Sequence, residues 1–181
     1  WNTCFKEKGC SRAASIEPGE SSNHPVVRIN WHDTQEFTRW YSNKTGKVFR
    51  LPTEAEWAYA MNMGQDYKEI AVTYNYQDVT IKNNPIKRTL PIGSINKNKW
   101  GIYDFKGNVW EWTLTCWYGS KSKILKERSI SHLRKISSCT TRIAQGETRS
   151  HIPDFVSNTY GGGCSSIKPA ANIGFRMLQE I

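Results

Sequence analysis

The stretch Tyr103-Asp104-Phe105-Lys106-Gly107-Asn108-Val109-Trp110-Glu111-Trp112 decides the reading of this chain. Hard cations such as calcium take several oxygens, from carboxylates and from backbone carbonyls in a tight turn. Asp104 and Glu111 can supply carboxylates, and Gly107 permits a turn that exposes carbonyls between them. Trp110 and Trp112 flank Glu111 and, by the alternation of an extended strand, point away from it into a core. The spacing is not that of an EF-hand loop. The same residues also suit a hairpin in which Glu111 caps a turn or pairs with a basic side chain, so spacing alone leaves both readings open.

Upstream, Thr53-Glu54-Ala55-Glu56 is a capping box opening a helix through Trp57, Ala58 and Ala60. Lys47 to Leu51 reads as a short strand halted by Pro52, and Val26 to Ile29 as another. Asn30 caps a helix running from Trp31 to Tyr41, with Phe37, Trp40 and Tyr41 spaced to form one buried face and Gly46 suited to the exit. Downstream, Val109 to Thr113 reads as a strand, Gly161-Gly162-Gly163 as a tight turn, and Ile173 to Leu178 as a terminal strand. Residues 11–25 and the Asn-, Lys- and Tyr-rich chain after Gly64 are irregular, and there is no internal repeat. The pattern predicts an α+β domain whose core rests on tryptophans rather than on long regular layers.

Composition bounds the rest. The 181 residues fit one domain, 1–181, and 8 Trp, 8 Tyr and 6 Phe supply apolar area that disordered chains lack. No apolar run approaches the roughly eighteen residues that a membrane-spanning helix needs. The chain starts at Trp1 and reads as a mature chain or as a fragment excised from a longer protein. The net charge of +9 is concentrated: between Cys116 and Cys139 six basic residues (Lys121, Lys123, Lys126, Arg128, Arg134, Lys135) face one acid, Glu127. Ile130, Leu133 and Ile136 would suit a short amphipathic helix there. Residues 121–135 are therefore either a solvated insertion or a contact for an anionic partner. No nucleic-acid motif supports a specific nucleic-acid role. No Ser/His/Asp arrangement, phosphate loop or acid–base carboxylate pair can be assigned.

Five cysteines stand at 4, 10, 116, 139 and 164, without a CxxC or a zinc-like cluster. Cys4 and Cys10 bracket a short glycine-containing loop, and Cys116 and Cys139 bracket the basic insertion. Spacing leaves two disulfides and five reduced thiols equally open.

The chain resembles the formylglycine-generating enzyme (sulfatase-modifying factor) family. The segments that carry the resemblance are residues 25–33, Arg50-Leu51-Pro52-Thr53-Glu54-Ala55-Glu56-Trp57-Ala58-Tyr59-Ala60, Pro91-Ile92-Gly93-Ser94, residues 101–104 with Gly107-Asn108-Val109-Trp110-Glu111-Trp112, and Asn172-Ile173-Gly174-Phe175-Arg176, in the family's order. The resemblance implies an elaborated C-type-lectin-like fold with little regular secondary structure. It also implies one calcium site, from the Asp104 and Glu111 side chains and the Gly107 and Val109 carbonyls. A second family calcium site would fall near Asn75 and Asn84, where the match is poor.

Active members oxidise a substrate cysteine to formylglycine with two cysteines that bind copper(I), as soft thiolates should. Here the corresponding positions fall near His151 and Val156, and Cys164 alone cannot make a two-thiolate site. Copper is not expected, and the chain reads as a branch of the family without the oxidase centre. A Trp-x-x-Cys start and a cysteine after the Trp-Glu-Trp strand, as in bacterial relatives, imply Cys4–Cys10 and Cys116–Cys139 disulfides and a periplasmic or secreted location. Two functions follow from the resemblance. The first is a non-enzymatic binding or accessory domain, taking a protein, peptide or small ligand on C-terminal loops through His151, Phe155, Asn158, Tyr160, Cys164 and Ser165. The second is an oxidoreductase using another mechanism through His151 and Cys164.

Overall fold

Two helices start where reciprocal caps dictate. Asn30 accepts a hydrogen bond from the Asp33 N–H at 2.9 Å, and the Asp33 carboxylate accepts one from the Asn30 N–H at 2.7 Å. The same exchange between Thr53 and Glu56 opens the next helix. The structure is a computed structural model that describes residues 1–15, 19–63, 89–95, 97–105, 107–117, 139–146, 155–158, 161–169 and 173–181. Its elements in order are α1 (Asn2–Lys6), α2 (Trp31–Thr45), β1 (Phe49–Arg50), α3 (Glu54–Met61), β2 (Trp110–Cys116), β3 (Thr141–Gln145), β4 (Phe155–Asn158), β5 (Gly161–Ser165), β6 (Ile173–Gly174) and β7 (Leu178–Gln179). This is the predicted α+β mixture with little regular structure.

The five-stranded sheet has the order β4-β5-β3-β2-β6, antiparallel except where β2 and β6 run parallel. All seven residues of β2 are buried because both faces of the sheet are covered there. Trp110, Trp112 and Leu114 pack with Trp31, Leu51, Ala144 and Ile173 on one face. On the other, α3 comes down: the Glu54 N–H donates to the Thr115 hydroxyl at 2.8 Å, and Trp57 and Met61 form a second cluster with Phe105. A small sheet, β1 with β7, ties the last residues to the chain before α3. Disulfides join Cys4 to Cys10 and Cys116 to Cys139, as the resemblance implied, with Cα separations of 5.3 and 6.0 Å.

Several expectations change. A short helix, α1, which sequence reading missed, runs into the Cys4–Cys10 loop. Val26 to Ile29 is not a strand, since Arg28 sits in the left-handed region at φ 58° and breaks the extension. Helix α2 runs on to Thr45, and its deepest face is Trp31, Thr34 and Thr38, not the aromatic trio. Small threonines let the helix approach the sheet, where the Trp31 indole donates to the Thr113 carbonyl at 2.8 Å. Phe37, Trp40 and Tyr41 are half-buried and form a ring-to-ring rim with Trp1, Phe49 and Phe175. Gly161 to Gly163 is no turn but part of β5, hydrogen-bonded between β3 and β4. The terminal strand divides into β6 and β7, which join different sheets on either side of Phe175–Met177.

Candidate functional site

The turn that opens the sequence reading is built on left-handed residues. Asp104 and Asn108 adopt φ 64° and 70°, a conformation that aspartate and asparagine tolerate better than other side chains. The Asp104 carboxylate accepts the N–H groups of Gly93 at 2.6 Å and Ile95 at 2.9 Å. The Asn108 amide exchanges two hydrogen bonds with the backbone of Leu90, at 2.8 and 3.0 Å. Residues 90–95 are thereby pinned to the turn ahead of β2.

Glu111 follows on β2, buried on the α3 side. One carboxylate oxygen accepts the Trp57 indole N–H at 2.6 Å and the Arg176 Nε–H. The other accepts from the same guanidinium at 2.6 Å, so the pair is bidentate. Arg176 also donates to the Tyr103 carbonyl at 3.2 Å and lies 3.9 Å above the Phe105 ring. Burial pulls the Arg176 pKa down, but the charge and hydrogen bonds of Glu111, with a contribution from Asp104, leave it above the ordinary arginine value. Sequence reading had allowed Glu111 a basic partner without finding it. The signal was the Arg176 of the terminal matching segment, 65 residues away.

The four groups expected to hold calcium each have neighbours within the protein. Glu111 has both oxygens engaged by Arg176 and Trp57, and Asp104 has both engaged by backbone donors. The Gly107 carbonyl accepts the Val109 N–H at 3.0 Å. The Val109 carbonyl faces Gly146, where an added Cβ would lie only 3.2 Å from it. Calcium wants six to eight oxygens, and here it would have to displace Arg176 from Glu111. At Glu111 the ion would therefore compete with the Arg176 salt bridge.

The candidate ligand surface is partly placed. Phe155 and Asn158 lie on the edge strand β4, Cys164 and Ser165 on its neighbour β5, so four of the six residues share one hairpin. Cys164 stands opposite Arg142 of β3, and Ser165 opposite Thr141. His151 and Tyr160 lie outside the described residues, as do the basic segment 121–135 and the Asn75/Asn84 region. With the two disulfides closed, Cys164 is the remaining cysteine. Among the described residues, no three of His, Cys, Asp and Glu gather as a metal site, and no helix is long and apolar enough to cross a membrane.

The fold defines the class. PvdO from Pseudomonas aeruginosa superposes with a TM-score of 0.71 at 21% identity, covering 99% of this chain and 75% of that one. Residues 4–181 match the family described as "Sulfatase-modifying factor enzyme 1-like domain". The chain belongs to that family. It is 32% identical over 111 residues to the formylglycine-generating enzyme of Mus musculus, an alignment spanning 53% of this chain and 28% of the mouse protein. It is 28% identical over 163 residues to the inactive C-alpha-formylglycine-generating enzyme 2 of Bos taurus, spanning 81% of this chain and 52% of that protein. The chain thus spans about half or less of these curated relatives.

Proposed function

We propose that this domain is a binding or accessory member of the family rather than a formylglycine-forming oxidase. The carrying observation is the cysteine count: four of five are joined as Cys4–Cys10 and Cys116–Cys139, which leaves Cys164 where a copper(I) dithiolate needs two thiols. A bovine relative named as inactive is in keeping with this reading. Binding is assigned to the β4–β5 hairpin, in which β4, carrying Phe155 and Asn158, is the edge strand among the described residues, a surface suited to a peptide or protein segment. The two disulfides belong to an oxidising compartment, and we assign the domain to the periplasm or the extracellular space. Its rigidity rests on the salt bridge at Glu111 rather than on calcium.

The test is oxidation of a cysteine-containing peptide by purified protein after copper(I) loading and desalting. The expected result is no formylglycine product and no retained copper. Turnover with stoichiometric copper would overturn the reading. Turnover without copper, lost in Cys164→Ser, would put the alternative oxidoreductase chemistry in its place.

A further inference from the structure

Asn98 holds a surface loop against the end of α3. Its side-chain N–H donates to the Ala60 carbonyl at 2.8 Å, and its Oδ1 accepts the N–H groups of Trp100 at 3.0 Å and Ile102 at 3.1 Å. The Asn98 backbone N–H donates to the Ile102 carbonyl, and the Asn98 carbonyl accepts from Gly101, each at 2.9 Å. Gly101 turns the chain at φ 80°. Residues 98–102 thus close on themselves, and one asparagine satisfies both the turn and a carbonyl of the last turn of the helix.

What this loop displays is aromatic. Trp100 stands edge-on to Tyr59 of α3, ring centroids 5.7 Å apart at 61°, and about half of each residue is exposed. Tryptophan and tyrosine are the residue types that anchor protein interfaces. An anchor held in place beforehand loses little entropy on binding. The two rings meet at an angle rather than in parallel, so they form a notch for one side chain, not a stack for successive bases.

Charge selects the partner. Lys97 and Lys99 flank Asn98 and are exposed. The Lys97 ammonium lies 5.9 Å from the centroid of the Tyr103 ring, and neither lysine has an ion-pair partner among the described residues. From Thr89 to Tyr103 the sequence contains no Asp or Glu. Asp104, the first acid that follows, gives its oxygens to the N–H groups of Gly93 and Ile95. Glu56, one turn before Tyr59 on α3, is paired with Arg50. The notch is bordered by two positive charges.

We propose that the Tyr59–Trp100 notch docks an acidic peptide segment of a partner protein. One apolar or aromatic side chain of that segment seats between the rings, and carboxylates beside it meet Lys97 and Lys99. The proposal stands independently of the reading of the β4–β5 hairpin and of the lost oxidase centre.

Fluorescence anisotropy of the labelled peptide EEEFEEE with the whole, disulfide-intact chain tests it. Saturable binding is expected, and EEEAEEE, of equal charge but without the ring, binds about tenfold more weakly. Trp100→Ala weakens EEEFEEE by about tenfold. Lys97→Glu/Lys99→Glu weakens it by about fivefold at low salt, and the difference narrows as salt is added. Both variants change exposed side chains and keep the parent melting midpoint. Absence of saturation at millimolar peptide, equal affinity for EEEAEEE, or parent-like affinity in either folded variant would each overturn the proposal. So would tighter binding of a labelled oligothymidylate than of the peptide, lost in Trp100→Ala, which would make the notch a nucleic-acid site.

Discussion

The molecule uses one arrangement twice. At Glu111 a carboxylate accepts an indole N–H from Trp57 and a salt bridge from Arg176, whose guanidinium also covers the Phe105 ring. At Glu7 a carboxylate accepts the indole N–H of Trp40 at 2.8 Å and a salt bridge from Lys44, whose ammonium lies over the Trp40 ring. The parts match, but the surroundings do not. Side-chain exposure is 7% for Glu111 and 22% for Arg176, against 45% for both Glu7 and Lys44. Water screens the outer pair and solvates either member if its partner leaves. Inside, removing one member strands a charge in a site that water does not reach freely. Burial, not the list of contacts, decides what each cluster is worth.

The largest effect is expected from Arg176→Met, which leaves Glu111 buried with the Trp57 indole as its remaining partner among the described residues. The expected loss is about 3–5 kcal/mol, read as a melting midpoint lower by roughly 10 °C. The double variant Glu111→Leu/Arg176→Met should lose less than either single change, because no stranded charge remains. A double variant worse than both singles would show that the pair stabilises by attraction instead.

An intermediate case sharpens the contrast. Arg50 is 6% exposed and is shared between Glu56 and Glu180, which are 36% and 37% exposed. Burial pushes the Glu56 pKa up, but the hydrogen bond and charge of Arg50, with the Thr53 donors, hold it below the ordinary glutamate value. Its folded pKa is thus lower than its unfolded one. The stabilisation is complete above the unfolded value, about 4.3, and is lost as pH falls through the folded value. Glu56→Gln should cost about 1 kcal/mol at neutral pH after solvent screening, and denaturant titrations should show the gap to the parent protein closing in acid.

At the far end, Glu7→Gln should leave the midpoint unchanged at physiological salt, although Lys44 and then Trp40 lower the Glu7 pKa. A clear drop on that substitution would mean that the exposed cluster closes the α1 region onto α2. Calcium should have the smallest effect. Midpoints in millimolar calcium and in chelator should coincide, and a rise of several degrees with calcium would place the ion at Asp104 and Glu111 after all.

What could be read from the sequence was local. Asn30 with Asp33, and Thr53 with Glu56, cap their helices through neighbours within one turn, so four letters suffice. Trp110-Glu111-Trp112 showed its strand through alternation. The two disulfides were open on spacing, and only the family resemblance paired them. The rest depended on distant partners. Glu111 meets Trp57 and Arg176 at separations of 54 and 65 residues. Three glycines in a row read as a turn because nothing local reveals that β3 and β4 will flank them. Phe37, Trp40 and Tyr41 had the spacing of a core face, yet the helix turned its threonines inward because only small side chains allow the close approach at Thr113.

The account turns on there being one cysteine outside the two disulfides, and intact-mass measurement after alkylation without reductant counts thiols directly. In protein isolated from its native compartment under denaturing conditions, one added alkyl group is predicted, mapping to Cys164, with four cysteines protected. Three or more added groups would contradict the account, since thiols enough for a copper(I) pair would then be present in the resting domain.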